Sequence, residues 1–514
     1  MSMKPSTTAA LLVGLLVVSA LVVVACGGGG GDQTPITITS GTVISNVTVI
    51  NTQDGSENAN MAVVIDNGKI VSVSKVADVK IAGNAKLVDA TGKFVVPGFL
   101  DMHTHASNTL SNPPSDFPVL LANGITGVRE ASGSPALIQA IKQQNAAVLA
   151  GQVDAPEVLI MPSAILGGQA ATDAAARQFV RDRKAEGADY LKMTGGNREA
   201  FLAAIDEAKN QGIHAAGHLT VAVSALDSSN AGYRSFEHLG AGTGLVLDCA
   251  SDEANIRQAI LSNPISPPAP NAINPRLYDG NKYAPYYQRI IDTYSDSKCQ
   301  ALAQTFVKNG TWQAVTLIRL RTQDFGDSQL YRSDPNLIYV DKTRRALWES
   351  IAQQYAATVT PAAKASLQNY YALQLKVVKM MKDTGVLMLA GSDLGGGLVI
   401  PGFSLHQEFH ELAAAGLSPL QILQMTTLNG AQFVGRQATM GTVEPGKNAD
   451  LVLLNADPIA DVSNLDKISG VFLKGKYYSR GALDTLLSNV AATYAAQSLK
   501  ELSTALDPTH NDGE

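Results

Sequence analysis

Only three of the 514 residues are cysteine, too few for a disulfide-built miniprotein or a multi-cysteine zinc fold. Charge is sparse as well: Asp, Glu, Lys and Arg together make up 16% of the chain. The 39 basic residues fall short of the 45 acidic ones, giving a formal net charge of −6, which argues against a nucleic-acid partner. Glycine (45) and proline (22) stand near ordinary usage, which excludes collagen and low-complexity arrays, and no short-period repeat is present. What the chain does have is apolar content. At 45% hydrophobic it is too apolar for disorder, and its length predicts a large core in two or more structural units.

The longest apolar run begins at Ala9 and ends in Val23-Val24-Ala25-Cys26, followed by five glycines, Gly27 to Gly31. Its length approaches that of a spanning helix, but small residues before the cysteine mark a cleavage point. The pattern resembles the lipobox of bacterial lipoproteins, in which the cysteine is lipidated and becomes the new N-terminus. Residues 1–25 are therefore expected to be a lipoprotein signal peptide and residues 26–35 a flexible tether. Cys26 would carry the lipid, placing the body in the cell envelope, anchored at the periplasmic face of a bacterial membrane. The two remaining cysteines, Cys249 and Cys299, would then meet an oxidising compartment, and they are expected to join. Closing a loop of about 50 residues would stabilise the fold by about 3–4 kcal/mol in the chain-entropy model.

Short strand patterns fill residues 36–96: Ile36 to Thr39, Val43 to Ile50, Met61 to Ile65 and Lys69 to Ser74, with Asp66-Asn67-Gly68 as a tight-hairpin signal. Residues 97–436 instead alternate short apolar strands with helical stretches such as Arg198–Gln211 and Ser404–Ala415, the signature of a parallel α/β architecture. A proline- and tyrosine-rich segment at about 247–311 interrupts this alternation as an insertion. Strand patterns return within 437–480, at Ala449–Asn455 and Ile468–Tyr478, so both chain ends are expected to share one small β domain. Residues 481–514 read as a C-terminal helix and tail.

Within the alternating region, chemistry-bearing residues recur at the ends of apolar strands. Asp101-Met102-His103-Thr104-His105 puts two imidazoles on one strand face, a spacing that suits zinc. Lys192 lies inside the apolar run Tyr190–Met193, where an unpaired ammonium is costly. His218, His238 and Asp393 follow three further strands. Singly, each has an ordinary structural reading; in a β/α barrel all six would meet at one face. Other polar residues are less telling. Tyr190 shares the parity of Lys192 but reads as core packing, and His214 reads as packed inside the barrel. His406 and His410 share a helix face, but Gln407 stands where a zincin motif needs Glu, so they read as helix and loop contacts. Asp101 reads as a structural carboxylate; Arg129 and Glu130 fit either a pocket lining or charge pairing.

The segments Val96-Pro97-Gly98-Phe99-Leu100-Asp101-Met102-His103-Thr104-His105, Ala390-Gly391-Ser392-Asp393 and Gly441-Thr442-Val443-Glu444-Pro445-Gly446-Lys447-Asn448-Ala449-Asp450-Leu451 resemble the amidohydrolase superfamily, in its imidazolonepropionase-like and Xaa-Pro dipeptidase-like branch. The resemblance covers about residues 40–480. It implies a (β/α)₈ TIM-like barrel beside a β-sandwich built from both chain ends. It also implies two divalent ions, usually zinc, at the barrel mouth. His103 and His105 match the ligands after the first strand, His218 and His238 those of the second metal. Lys192 matches a carboxylated lysine, a carbon dioxide adduct that bridges both metals. Asp393 matches the aspartate that binds the first metal and handles the proton. The spacer from Lys192 to Gly195-Gly196 is shorter than in many dipeptidase-like relatives, which leaves the substrate class open. The expected function is hydrolysis of amide bonds in dipeptides or N-acyl amino acids by a metal-bridging hydroxide. The same site could open lactones or phosphotriesters; a mononuclear deaminase would not need Lys192; a surface binding protein that had lost catalysis would not need six intact ligand positions. The expected partners are a small-molecule substrate and, through the lipid, the membrane, with a homo-oligomer left open.

Overall fold

The computed structural model describes residues 35–110, 115–264 and 275–497. Residues 1–34, which contain the expected signal peptide, Cys26 and nearly all of the tether, lie outside the described residues, as does the tail from residue 498. Among the described residues, no helix is long and apolar enough to cross a membrane.

The chain is a mixed α/β protein. Both ends contribute to one eight-stranded sheet. Thr42–Ile50, Glu57–Asp66 and Lys69–Lys75 form an antiparallel meander. The expected hairpin is present: Asp66 pairs with Lys69, and Asn67 and Gly68 both take positive φ, the geometry that a two-residue turn matched to strand twist requires. Phe94–Pro97 joins Thr42–Ile50 in parallel and pairs antiparallel with Leu451–Leu454 from the far end of the chain. Ile468–Leu473 and Lys476–Ser479 complete the row, and Lys86–Asp89, paired in parallel with Thr42–Ile50, is the eighth strand. Alternation gives this sheet a buried face of Ile44, Val47, Val63, Ile65, Val95, Leu451, Leu453 and Phe472. Its other face, at Val43, Ala62 and Val64, is covered by Ile38, Val79 and Ile81 of a small two-stranded sheet.

The middle of the chain supplies eight parallel strands in two sheets. Phe99–Thr104, Ile125–Glu130 and Glu157–Ile160 form one; Tyr190–Met193, His214–Gly217, Ser235–Glu237, Trp312–Ala314 and Met388–Leu389 form the other. Backbone hydrogen bonds connect the two. On one side Met102 N donates to Ala390 O, Asp393 N to His103 O and His105 N to Leu394 O. On the other, Leu166 N donates to Lys192 O and Thr194 N to Leu166 O. Helices intervene between strands, as the alternation predicts, including Arg198–Asn210, capped by the Asn197 side chain, and Phe403–Ala414.

Residues 253–262, 275–292 and 296–309 of the expected insertion are helical. A Cys249–Cys299 disulfide ties the helical turn Gly244–Cys249 to the helix Asp296–Asn309. The final helix, Arg480–Ala496, is capped by Ser479 and seats Val490 and Tyr494 against Val119.

Candidate metal centre

Four of the six residues singled out above sit at or just past the ends of parallel strands: His103 near the end of Phe99–Thr104 and His105 just after it, His218 after His214–Gly217, and His238 after Ser235–Glu237. Lys192 lies within Tyr190–Met193, and Asp393 follows Met388–Leu389. The fold brings all six together, and all are buried. Asp393 Oδ1 lies 3.2 Å from His103 Nε2 and 3.4 Å from His105 Nε2, and Asp393 Oδ2 lies 3.7 Å from His238 Nε2. Lys192 Nζ approaches His103 Nε2 at 3.4 Å. The His103 and His238 rings stand 4.5 Å apart and the His238 and His218 rings 5.2 Å. His105, Lys192, His218, His238 and Asp393 line one cavity together with Arg319 and Gly396.

Local backbone conformation delivers these side chains. His238 and Asp393 both take positive φ (54° and 58°), so the chain turns sharply as each strand ends. Asp101, fully buried and pushed up by that burial to about 7, accepts from Ser392 N, Ser392 Oγ and His103 N. It fastens the strand that bears His103 to the loop that bears Asp393, as expected of a structural carboxylate.

Electrostatics favour neutral imidazoles. Burial, and then the Lys192 charge, lower the pKa of His103 and His218, and burial lowers that of His238. Asp393 stays ionised: burial would raise it, but His238 and His103 hold it well below the usual carboxylate range. Deprotonated nitrogens and an ionised carboxylate converging on one point are what divalent-metal ligation requires. His103, His238 and Asp393 each offer a ligand atom within 4.8 Å of the others. His103 Nε2 and Asp393 Oδ1 face each other at 3.2 Å.

Several residues at the site escaped the sequence reading. Glu237 accepts from His103 Nδ1 at 2.6 Å and from Arg129 Nη2 at 2.5 Å; Ser235 Oγ donates to its other oxygen at 2.8 Å. Arg319, on the helix Leu317–Asp324, donates from Nε to Asp393 Oδ2 at 2.9 Å. Thr316 hydrogen-bonds His238 Nδ1. The rule that found the six would have found Thr316 and Arg319 had the apolar run Trp312–Ala314 been read as a strand. Of the pair left open, Arg129 faces the site through Glu237, while Glu130 accepts from Thr104 Oγ1 and Ser107 N on either side of His105. Tyr190 donates to the Glu130 carbonyl and packs beside Arg129. His406 and His410 reach Asp466 at 3.0 and 2.8 Å, the helix-to-loop contacts expected of them. His214 corrects its reading: it is exposed, because it is the first residue of its strand and so lies at the end remote from His218.

With this geometry in hand, residues 373–477 match the amidohydrolase family. A stretch of 86 residues is 35% identical to adenine deaminase of Listeria monocytogenes, covering 17% of this chain and 14% of that protein. Another, of 101 residues, is 35% identical to imidazolonepropionase of Porphyromonas gingivalis, covering 19% of this chain and 22% of that protein. The chain thus spans only a minor part of the curated relatives it matches. Solved structures cover far more. Bottromycin amidohydrolase matches 91% of this chain and 93% of its own at a TM-score of 0.66 and 21% identity. A Xaa-Pro dipeptidase with methionine bound in its active site matches 85% and 99% at 0.56 and 16%. At these identities the likeness is one of fold. The matched family, the curated relatives and the solved neighbours all belong to the amidohydrolase superfamily that the sequence resembles.

Proposed function

We propose that this amidohydrolase-superfamily hydrolase is a binuclear metal-dependent enzyme cleaving amide bonds in dipeptides or N-acyl amino acids. The observation that carries this reading is the convergence of six buried residues: His105, Lys192, His218, His238 and Asp393 line one cavity, and His103 stands against Asp393 and Lys192. There, His103, His105 and Asp393 would hold one divalent ion, zinc in the first instance, His218 and His238 would hold a second, and Lys192, once carboxylated by carbon dioxide, would supply an anionic ligand to both. Ions held there would supply a water of lowered pKa and polarise the scissile carbonyl. Asp393 would serve as the proton carrier, taking a proton from the attacking water and giving it to the departing amine nitrogen. Arg319, bonded to Oδ2, orients the carboxylate so that Oδ1 faces His103 and His105.

The backbone hydrogen bonds on both sides of the two parallel sheets support a closed (β/α)₈ barrel over 97–436 with an insertion at about 247–311. The sheet shared by 36–96 and 437–480 supports a composite β-sandwich domain, and 481–514 is the terminal helix and tail. The disulfide supports export to an oxidising compartment. Anchoring through Cys26 rests on the sequence pattern alone; mass spectrometry of the mature N-terminus tests it, and an intact Met1 refutes it.

The experiment for the activity is metal analysis of purified protein with a screen of dipeptides, N-acyl amino acids, lactones and phosphotriesters. Turnover of an amide series with two ions per chain supports the reading. A second reading, a mononuclear deaminase, is favoured by the adenine deaminase matches and by the compact His103, His238 and Asp393 triad. Lys192 inside the cavity weighs against it. One ion per chain with ammonia release from adenine would establish that reading instead.

A further inference from the structure

His103 is the most enclosed of the six residues, and what stands behind it is unusual. Its Nδ1 lies 2.6 Å from Glu237 Oε2, and both side chains are 1% exposed or less. An imidazole facing a carboxylate at that distance places its proton on the facing nitrogen, because two acceptors cannot pair. That assignment leaves Nε2 as the lone-pair atom, and Nε2 is the one turned toward Asp393 and Lys192.

Glu237 does not touch His103 alone. Arg129 Nη2 donates to the same Oε2, and Ser235 Oγ donates to Oε1. Arg129 is itself buried and bonded from Nε to the carbonyl of Met102, the residue before His103. One arginine therefore fixes both the carboxylate and the strand that carries the imidazole. The Arg129–Glu237 pair is neutral as a unit, so it adds no net positive charge behind a site meant to hold cations.

We propose that Glu237, held by Arg129 and Ser235, is the positioning residue that fixes the Nε2-ligating tautomer and orientation of His103 and so sets the metal affinity of the site. The assignment rests on the reading of His103 as a metal ligand. A carboxylate behind a ligating histidine raises the basicity of the ligating nitrogen, and loss of such a partner typically costs about 10–100-fold in metal affinity. Glu237 would act through His103 alone and never touch substrate.

The test uses the full chain, stripped with a chelator and titrated with Zn2+ against a competing indicator, and in parallel with Co2+ to record its visible ligand-field spectrum. Glu237→Gln preserves shape and its hydrogen bonds, since its carbonyl can still accept from His103 and Arg129 and its amide can donate to Ser235, but it leaves the buried Arg129 charge uncompensated, so the apo protein should fold with a lowered melting temperature. Its affinity should fall about 10-fold, Glu237→Leu should lose about 100-fold, and the Co2+ spectrum should shift in both. Should Glu237→Leu fail to fold, Glu237→Gln carries the test alone. Wild-type affinity and an unchanged Co2+ spectrum in Glu237→Gln would overturn the assignment. Absence of metal uptake by the wild type would overturn the metal reading itself, and this inference with it.

Discussion

A methyl group added at Gly217 would stand 2.1 Å from the Met193 carbonyl oxygen, on a residue whose φ is +137°. Gly217 precedes His218 and pairs with Met193, which follows Lys192, so the clash falls between two proposed ligands. Gly217→Ala should destabilise the protein by more than about 1 kcal/mol in a denaturant titration and lower zinc affinity as well. Asp393→Asn keeps the size of the side chain but cannot take a proton; turnover should fall by about 10²–10⁴-fold in steady-state kinetics. At this scale the six converging residues were legible because each lies in or just past an apolar strand, where a polar side chain calls for a reason. Glu237 was not, since its partners Arg129 and His103 lie more than a hundred residues away in the chain. Its place in the strand Ser235–Glu237 marks it as buried, but not which residues it pairs with.

Among the elements, the helix Phe403–Ala414 is pinned to the helical turn Val462–Asp466 by His406 and His410. Burial pushes the Asp466 carboxyl up, but hydrogen bonds from the two histidines outweigh it and hold it at about 2. The hydrogen bond to Asp466 in turn raises His410 above its usual value. A depressed acid stabilises above its unfolded pKa of about 3.9, and that contribution is lost as pH falls toward 2. A raised histidine stabilises below about 6.5, and that contribution is lost as pH rises through its folded value. The tie should therefore be strongest between about pH 4 and 6.5, modest in size because both groups are partly exposed. Asp466→Asn should flatten that part of the melting-temperature profile against pH; an unaltered profile would count against the tie. The disulfide is the other inter-element link, and Cys249→Ser/Cys299→Ser should lose on the order of 3–4 kcal/mol in denaturant. Strand identity was legible from apolar runs, but extent was not. Val386 to Ala390 reads as five residues of strand, yet only Met388–Leu389 pairs as one, because the chain there already bends toward Gly391-Ser392-Asp393. Gly391 permits that bend beside His103, where a methyl group would stand 2.9 Å from its backbone nitrogen.

At the scale of the whole molecule, the sharing of one sheet by both chain ends followed from strand patterns at 36–96 and 437–480, and Phe94–Pro97 pairing with Leu451–Leu454 is its physical form. The strand-helix alternation between them predicted parallel sheets, and the sheets gather the six residues into one buried cluster, five of them lining a cavity. Substrate choice was not legible, since it depends on loops whose positions no spacing rule fixes. The central claim is that Lys192 is a bridge between two metals rather than a buried cation of the core. An unmodified ammonium cannot ligate metal, so the claim requires a carbamate there. The most direct measurement is elemental analysis of metal per chain in wild type and Lys192→Ala, purified side by side, with amide turnover of both. The account predicts two ions per chain in the wild type, a loss of metal in Lys192→Ala, and turnover lower by several orders of magnitude. Full metal content and undiminished turnover in Lys192→Ala would contradict it.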